Sequence, residues 1–334
     1  MSEVDLVALA SGYWYSFAIG AALDLGLFSE LARQEQDAET LARNLNCSAD
    51  HLAALLNSLC GMGLLRKTAE KFSLHPDQQA FLDPESPDSM LGAFAFNRDL
   101  AGLWMHLPDC IRQGKPVVPD NPHLGADPER TLRFVQGMHS RAGLMARNLL
   151  PALTPPAQSR ILDVGGGPGT FSLKLAERDP SLQITVLDLP PIVEAAARIH
   201  EGNPVLGSIT FQGGDYHSCN FPQDQDLILY CGALHQEPEA GLDALFAKMA
   251  AALRPGGELA VVDLMLDPER STPVYSALFE LNMMLMRPAS KVHSSESLMH
   301  RLHQAGFQHL EVQDIPHTPY RMVRGHTSEA GAHD

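Results

Sequence analysis

Basic residues are scarce. The 334-residue chain carries 24 Lys and Arg against 40 Asp and Glu, a formal charge of −16. Nucleic acid and acidic membrane surfaces are therefore poor partners, because each would need a neutralising cationic patch. No apolar run in the sequence approaches the ~20 residues that cross a bilayer. The first residues, Met1-Ser2-Glu3-Val4-Asp5, are acidic where a secretion signal would be basic. Five cysteines (47, 60, 110, 219, 231) are odd in number and show no CxxC spacing, which predicts reduced thiols and a cytoplasmic protein without a cysteine metal site. There is no internal repeat and no low-complexity segment.

The remaining composition, 45% apolar and 19% charged, is that of a globular protein long enough for two domains. Residues 1 to about 100 read as short helices. Val4 to Leu31 places Leu6, Leu9, Tyr13, Phe17, Leu23 and Leu27 at mostly helical intervals. Asp37 opens a helix, and a second runs over about 49–60 to Gly61-Met62-Gly63. Leu64–Lys67 and Lys71–Leu74 follow as the strands of a small wing, in the outline of a winged helix-turn-helix. DNA reading is disfavoured: residues 1–80 hold five basic and ten acidic residues, and Ala49–Cys60 holds no Lys or Arg. Residues 84–128 are rich in Pro and Gly around an apolar helix at Leu100–Ile111, and a helix over Glu129–Leu150 leads to Pro151, Pro155 and Pro156.

From Arg160 strands and helices alternate. Ile161–Val164, Gln183–Leu187, Asp226–Tyr230 and Glu258–Val262 are short apolar strands, with helices at Phe171–Ala176 and Leu242–Leu253. This pattern predicts a mostly parallel sheet covered on both faces.

Between the first of these strands and its helix lies Asp163-Val164-Gly165-Gly166-Gly167-Pro168-Gly169, where a backbone can turn tightly against a ligand. Asp188 ends the next strand, 19 residues after Gly169, where a carboxylate can accept both hydroxyls of a ribose. Gly213-Gly214-Asp215-Tyr216 adds a further acid beside an aromatic ring. The loop lacks the Lys and Ser/Thr of a phosphate cradle, and its glycines run GxGxG rather than GxGxxG. Three acids around a glycine turn suit a positively charged nucleoside without phosphates, which describes S-adenosylmethionine.

Asp163–Gly169, Asp188-Leu189-Pro190 and Gly213-Gly214-Asp215 resemble the signature of class I S-adenosylmethionine-dependent methyltransferases. Phe134-Val135-Gln136-Gly137-Met138 and Arg254-Pro255-Gly256-Gly257 narrow the likeness to the small-molecule O-methyltransferases, the caffeic acid and acetylserotonin enzymes and bacterial pathway enzymes. The resemblance spans residues 1–325 and implies an α/β fold. A Rossmann-like catalytic domain (156–334) is preceded by an all-α winged-helix-like dimerisation domain (1–100) and a helical linker (101–155) that contributes to the substrate pocket.

It implies a homodimer, S-adenosylmethionine as cofactor, S-adenosylhomocysteine as product, no metal, and a small, aromatic, hydroxylated acceptor of secondary metabolism. The cofactor would be held by Asp163, Gly165, Gly167, Gly169, Asp188, Leu189, Asp215 and Tyr216. His235, after the fourth strand, matches the histidine of the family's His-Asp-Trp base motif, with Gln236 and Glu237 replacing the other two. Asp263 stands where the family has the first of two flanking glutamates, Val292 where it has the second, and Cys231 where it has a lysine near the adenine. His293 is a lesser candidate for an electrostatic role. Phe134, Met138 and Met283 fall where aromatic acceptors are sandwiched, with Trp104 and Tyr15 as further walls and Arg287 as a cation suited to an anionic acceptor. Methylation of carbon or nitrogen, and a non-methylating rearrangement or decarboxylation on the same fold, remain as alternatives.

Overall fold

The computed structural model describes residues 5–117, 127–287 and 290–329. Residues 1–4, most of the acidic start, lie outside them, as do 118–126 and Ala289. Two compact units divide the chain, Met1–Gly102 and Leu103–Asp334.

The first unit runs through α1 (Leu6–Ser11), α2 (Tyr13–Asp24), α3 (Leu27–Arg33), β1 (Gln36–Asp37), α4 (Ala38–Asn44), α5 (Ala49–Gly61), β2 (Leu65–Thr68), β3 (Lys71–Leu74), α6 (Gln79–Leu82) and α7 (Leu91–Ala101). Asp37 caps α4 by accepting the Thr40 N–H at 2.7 Å, as its position in the sequence predicts. The unit is mainly helical, but the two wing strands gain a third partner, giving a small sheet in the order β1-β3-β2. Its core gathers Leu27, Phe28, Leu41, Leu56, Leu59 and Phe72, all almost fully buried.

One expectation is overturned here. Leu6–Asp24 forms a 19-residue helical stretch of mean hydropathy 1.4, long and apolar enough by length and composition to cross a membrane. Ser11, Gly12 and Ser16 interrupt the apolar run in sequence; α1 ends at Ser11 and α2 begins at Tyr13, with Gly12 between them in right-handed helical backbone. Only 11% of this stretch is buried within the chain, leaving Leu6, Leu9, Tyr13 and Phe17 exposed on its surface.

The second unit continues with α8 (Leu107–Gln113), α9 (Pro128–Leu149), β4 (Arg160–Val164), α10 (Thr170–Arg178), β5 (Gln183–Asp188), α11 (Pro190–Ile199), β6 (Ile209–Gly213), β7 (Gln225–Cys231), α12 (Leu242–Ala252), β8 (Leu253–Leu264), α13 (Val274–Met286), α14 (Ser295–Gln304), β9 (Gln308–Asp314) and β10 (Tyr320–His326). The apolar helix read over 100–111 is broken instead: α7 ends at Ala101, a 3-10 turn covers Gly102–His106, and α8 begins at Leu107.

Seven strands pair in the order β6-β5-β4-β7-β8-β10-β9. The first five are parallel, and β10 and β9 close the edge in antiparallel fashion. Side chains of β4, β7 and β8 alternate between two cores. Leu162, Ile228, Tyr230, Leu259 and Val261 join Phe246, Leu298 and Phe307 on one face. Ile161, Leu227, Leu229, Ala260 and Val262 join Leu149, Phe171 and Leu175 on the other. Burial on both faces explains why these strands read as continuous apolar runs. Each fully buried Leu or Val in them contributes about 1.5–3 kcal/mol. The Arg254–Gly257 stretch makes the turn expected before a strand: the β7–β8 ladder jumps over it, from Gln225–Leu253 to Leu227–Glu258, and Gly256 takes a φ of +73°.

The chain builds β4, β5 and β6 outward on one side, then returns to lay β7 and β8 on the other. The reversal falls between β4 and β7, and a crevice at the carboxyl ends of strands at such a point is where α/β sheets place ligands.

Candidate functional site

The glycine turn follows β4 at this reversal. Gly165, Gly167 and Gly169 take φ of +64°, +55° and +70°, the left-handed region that side chains resist. The Gly165 N–H donates to the Leu187 carbonyl at 2.8 Å, tying the turn to β5. A Cβ on Gly169 would meet Phe211 at 3.0 Å, whereas one on Gly167 would meet nothing within 4 Å. The turn is thus packed from below at Gly169 and open at Gly167, as a cradle for a ligand must be.

Asp163 lies under this turn, 0% exposed. Its Oδ2 accepts the Ser172 hydroxyl at 2.7 Å, and its Oδ1 has no hydrogen-bond partner among the described residues. Burial pushes its carboxyl up to about 7, and the Asp188 charge adds to the rise. Asp188 ends β5 as expected. Its Oδ2 accepts the Gly167 N–H at 2.7 Å and its Oδ1 the Leu189 N–H at 2.7 Å, and burial raises its pKa too. The turn and two acids therefore form one assembly.

Asp215 is exposed and its Oδ1 accepts the His217 N–H at 2.9 Å. Tyr216 packs beneath Gly165 and donates its hydroxyl to Glu237, a buried carboxylate that also holds His217 at 3.1 Å. Lys248 ties this segment from behind, donating to the carbonyls of Tyr216 and His217 and lying 4.3 Å over the Phe221 ring. Neither Glu237 nor Lys248 stands out in the sequence, because their partners come from elements far along the chain. Leu189 packs with Phe134, Val135 and Ile192 between α9 and α11.

His235 sits in a short 3-10 turn, Leu234–Gln236, after β7. Its Nδ1 lies 2.9 Å from Asp263 Oδ1, and its backbone N–H donates to Asp263 Oδ2 at 3.1 Å. Asp263, 0% exposed, also accepts the Leu264 N–H at 2.7 Å. A carboxylate only accepts, so it fixes the proton on Nδ1 and leaves Nε2 as the acceptor. The edge of the His235 ring meets Phe279, with centroids 4.9 Å apart. The shorter aspartate thus reaches the imidazole directly.

Val292 is fully buried, and the neighbouring Lys291 N–H donates to the His235 carbonyl at 3.2 Å. His293 Nε2 donates to the Glu237 carbonyl at 3.1 Å, and burial lowers its pKa. His293 therefore anchors the turn that carries His235. Burial also pushes the Cys231 thiol well up.

Phe134 and Met138 lie one turn apart on α9, both partly buried. Met283 is buried in α13, and Arg287 ends that helix by donating its N–H to the Met283 carbonyl at 2.8 Å. Trp104 Nε1 donates to Asn282 Oδ1 at 3.1 Å. Tyr15 belongs to the first unit and is exposed. Among the described residues no group of three or more His, Cys, Asp or Glu is arranged to hold a metal.

The family model for an O-methyltransferase domain matches residues 104–308, and that for an O-methyltransferase dimerisation domain matches 7–81. A human protein described as a probable bifunctional dTTP/UTP pyrophosphatase/methyltransferase is 29% identical over 91% of the chain, which spans 52% of that protein's length. The 3-hydroxy-5-methyl-1-naphthoate 3-O-methyltransferase of Streptomyces sahachiroi is 28% identical over 84% of the chain and 82% of its own. Human N-acetylserotonin methyltransferase in complex with SAM shares the fold at a TM-score of 0.85, covering 98% of this chain and 99% of that one at 24% identity.

Proposed function

The chain belongs to the O-methyltransferase family, and from that premise we propose that it methylates a hydroxyl of a small aromatic metabolite, using S-adenosylmethionine and His235 as general base. The observation that carries this reading is the Asp263–His235 pair: His235 follows β7, the neighbour of the strand that leads into the glycine turn, and Asp263 stands near the end of β8.

The residues around that turn fit the cofactor. Asp188, at the end of β5, would accept ribose hydroxyls, and the open Gly167 leaves room for the ligand's approach. The unpartnered Oδ1 of Asp163 suits the ammonium of an amino-acid tail. Leu189, Asp215 and Tyr216 complete the nucleoside side. When bound, S-adenosylmethionine supplies a methyl group on a positively charged sulfur and leaves as S-adenosylhomocysteine.

His235 does the proton work. A phenol titrates near ~10 and an imidazole near ~6.5, so Nε2 takes the hydroxyl proton only when the two groups touch and the oxygen is being alkylated. Asp263 steadies the imidazolium that results. Phe134, Met138, Met283 and Trp104 form the acceptor's apolar walls, and Arg287 lies at its rim. The named substrate of the Streptomyces relative is a hydroxylated aromatic acid, which supports an aromatic acceptor here.

The protein works as a homodimer, with the exposed apolar face of Leu6, Leu9, Tyr13 and Phe17 buried against a second copy. Its place is the cytoplasm, in keeping with five free cysteines. The test is incubation of the purified protein with S-adenosylmethionine and a panel of phenols. S-adenosylhomocysteine should form mole for mole with a methyl ether. A product formed without it, or calorimetry showing no binding of S-adenosylhomocysteine, overturns the reading.

A further inference from the structure

Arg141 has no part in the machinery described so far. It follows Met138 by three residues and Phe134 by seven on α9, so helical spacing sets all three on one face. Its side chain is partly buried, and Nη2 donates to the Tyr320 hydroxyl at 3.2 Å. Among the described residues the guanidinium makes no other hydrogen bond and no ion pair within 4.0 Å.

A guanidinium carries five N–H donors in a rigid fork. Three groups lie within electrostatic reach: Tyr320, Tyr275 and Asp263. Asp263 is already occupied by His235 and the Leu264 N–H. Burial pushes the Tyr320 hydroxyl up, so it stays neutral and offers no countercharge. The result is a cation with most of its fork unused, held to Tyr320, whose partner on β8 is Leu264, the residue after Asp263. The unused donors are not buried, so a ligand arriving from solution can reach them, and a carboxylate matches their geometry with two parallel hydrogen bonds.

We propose that Arg141 is the anchor for the acceptor: it binds the carboxylate of a hydroxylated aromatic acid while the acid's hydroxyl meets His235. This rests on the methyltransferase reading above and narrows its substrate to aromatic acids. Tyr275 and Tyr320 flank the anchored end, and the face shared with Phe134 and Met138 receives the ring. Arg141 determines specificity; the proton is moved by His235.

The test is calorimetric binding of 3-hydroxy-2-naphthoate and of 2-naphthol, a pair differing only in the carboxylate, with and without S-adenosylhomocysteine. The wild-type protein should bind the acid at least tenfold tighter. R141M should abolish that preference with S-adenosylhomocysteine affinity unchanged, and R141K, which keeps the charge but loses the fork, should retain only part of it. No preference in the wild type, or an undiminished one in R141M, overturns the anchor. Should R141M fail to fold, R141K decides: a several-fold drop supports the proposal and an unchanged preference refutes it. Acid preference in a protein that binds no S-adenosylhomocysteine would uphold the anchor and sink the methyltransferase reading instead.

Discussion

Asp163 and Asp263 are the same residue in the same setting. Each is the penultimate residue of a parallel strand, each is 0% exposed, and each lies beside the turn that follows its strand or its neighbour's. Their partners differ. Asp263 is closed: two backbone N–H groups and the His235 imidazole use both of its oxygens. Asp163 is half open, with one oxygen on Ser172 and the other on none of the described residues. Buried polar groups are nearly always satisfied, so an orphaned carboxylate oxygen is a request for a ligand. On the proposed reading the contrast separates two jobs: Asp263 would hold a side chain in one tautomer, and Asp163 would meet the charge of the cofactor.

The largest test falls on the closed side. His235→Gln keeps an N–H for Asp263 but removes the base. Turnover should drop about 10²- to 10⁴-fold while calorimetry shows S-adenosylhomocysteine bound as before. Wild-type rates would mean that the acceptor arrives already ionised and that the pair is only structural. On the open side, Asp188→Ala removes acceptors for two ribose hydroxyls. At about 1.5 kcal/mol for each charge-assisted bond, affinity for S-adenosylhomocysteine should fall roughly a hundredfold. The rate at saturation should change far less, and an unaltered dissociation constant would refute the assignment.

How much of this was legible in the sequence depends on how local each signal is. The turn Gly165–Gly169, Asp188 and His235 declare themselves within a few residues of a strand end, where chain geometry alone limits what a residue can do. Asp263 is different. Its contact with His235 spans 28 positions and two strands, so only resemblance pointed to it. Arg141 was invisible, because its meaning depends on Tyr320, 179 residues further on. Helical spacing from Phe134 and Met138 was the one clue available. The Pro-Gly-Gly stretch, by contrast, was legible as a turn, since the ladder with β7 skips residues 254–257 and Gly256 takes a φ of +73°. Leu6–Asp24 is less legible, since Ser11 and Gly12 break the apolar run where α1 gives way to α2, yet Gly12 keeps helical backbone and the two continue as one helical stretch.

A subtler measurement sharpens the contrast from the open side. Unfolded, Asp163 titrates at its ordinary 3.8; folded, burial raises it to about 7. Between those values the folded protein holds a proton that the unfolded chain has released. The Asp163 contribution to stability should therefore be greatest below pH 4, decline as pH rises toward 7, and level off beyond, where both states are ionised. The decline is at most about 1.4 kcal/mol per pH unit. Asp163→Asn keeps the shape and removes the titration, so the difference in urea-unfolding free energy between wild type and variant isolates this one carboxyl. His139, pushed down to about 4, and His200, also lowered, contribute equally to both proteins and cancel. Saturating S-adenosylhomocysteine should stabilise the wild type more at pH 8 than at pH 5, because its ammonium then meets a charged Asp163, and should stabilise the variant alike at both. Parallel profiles for the two proteins would show that Asp163 does not ionise in this range, and the distinction between an open and a closed aspartate would then lose its electrostatic basis.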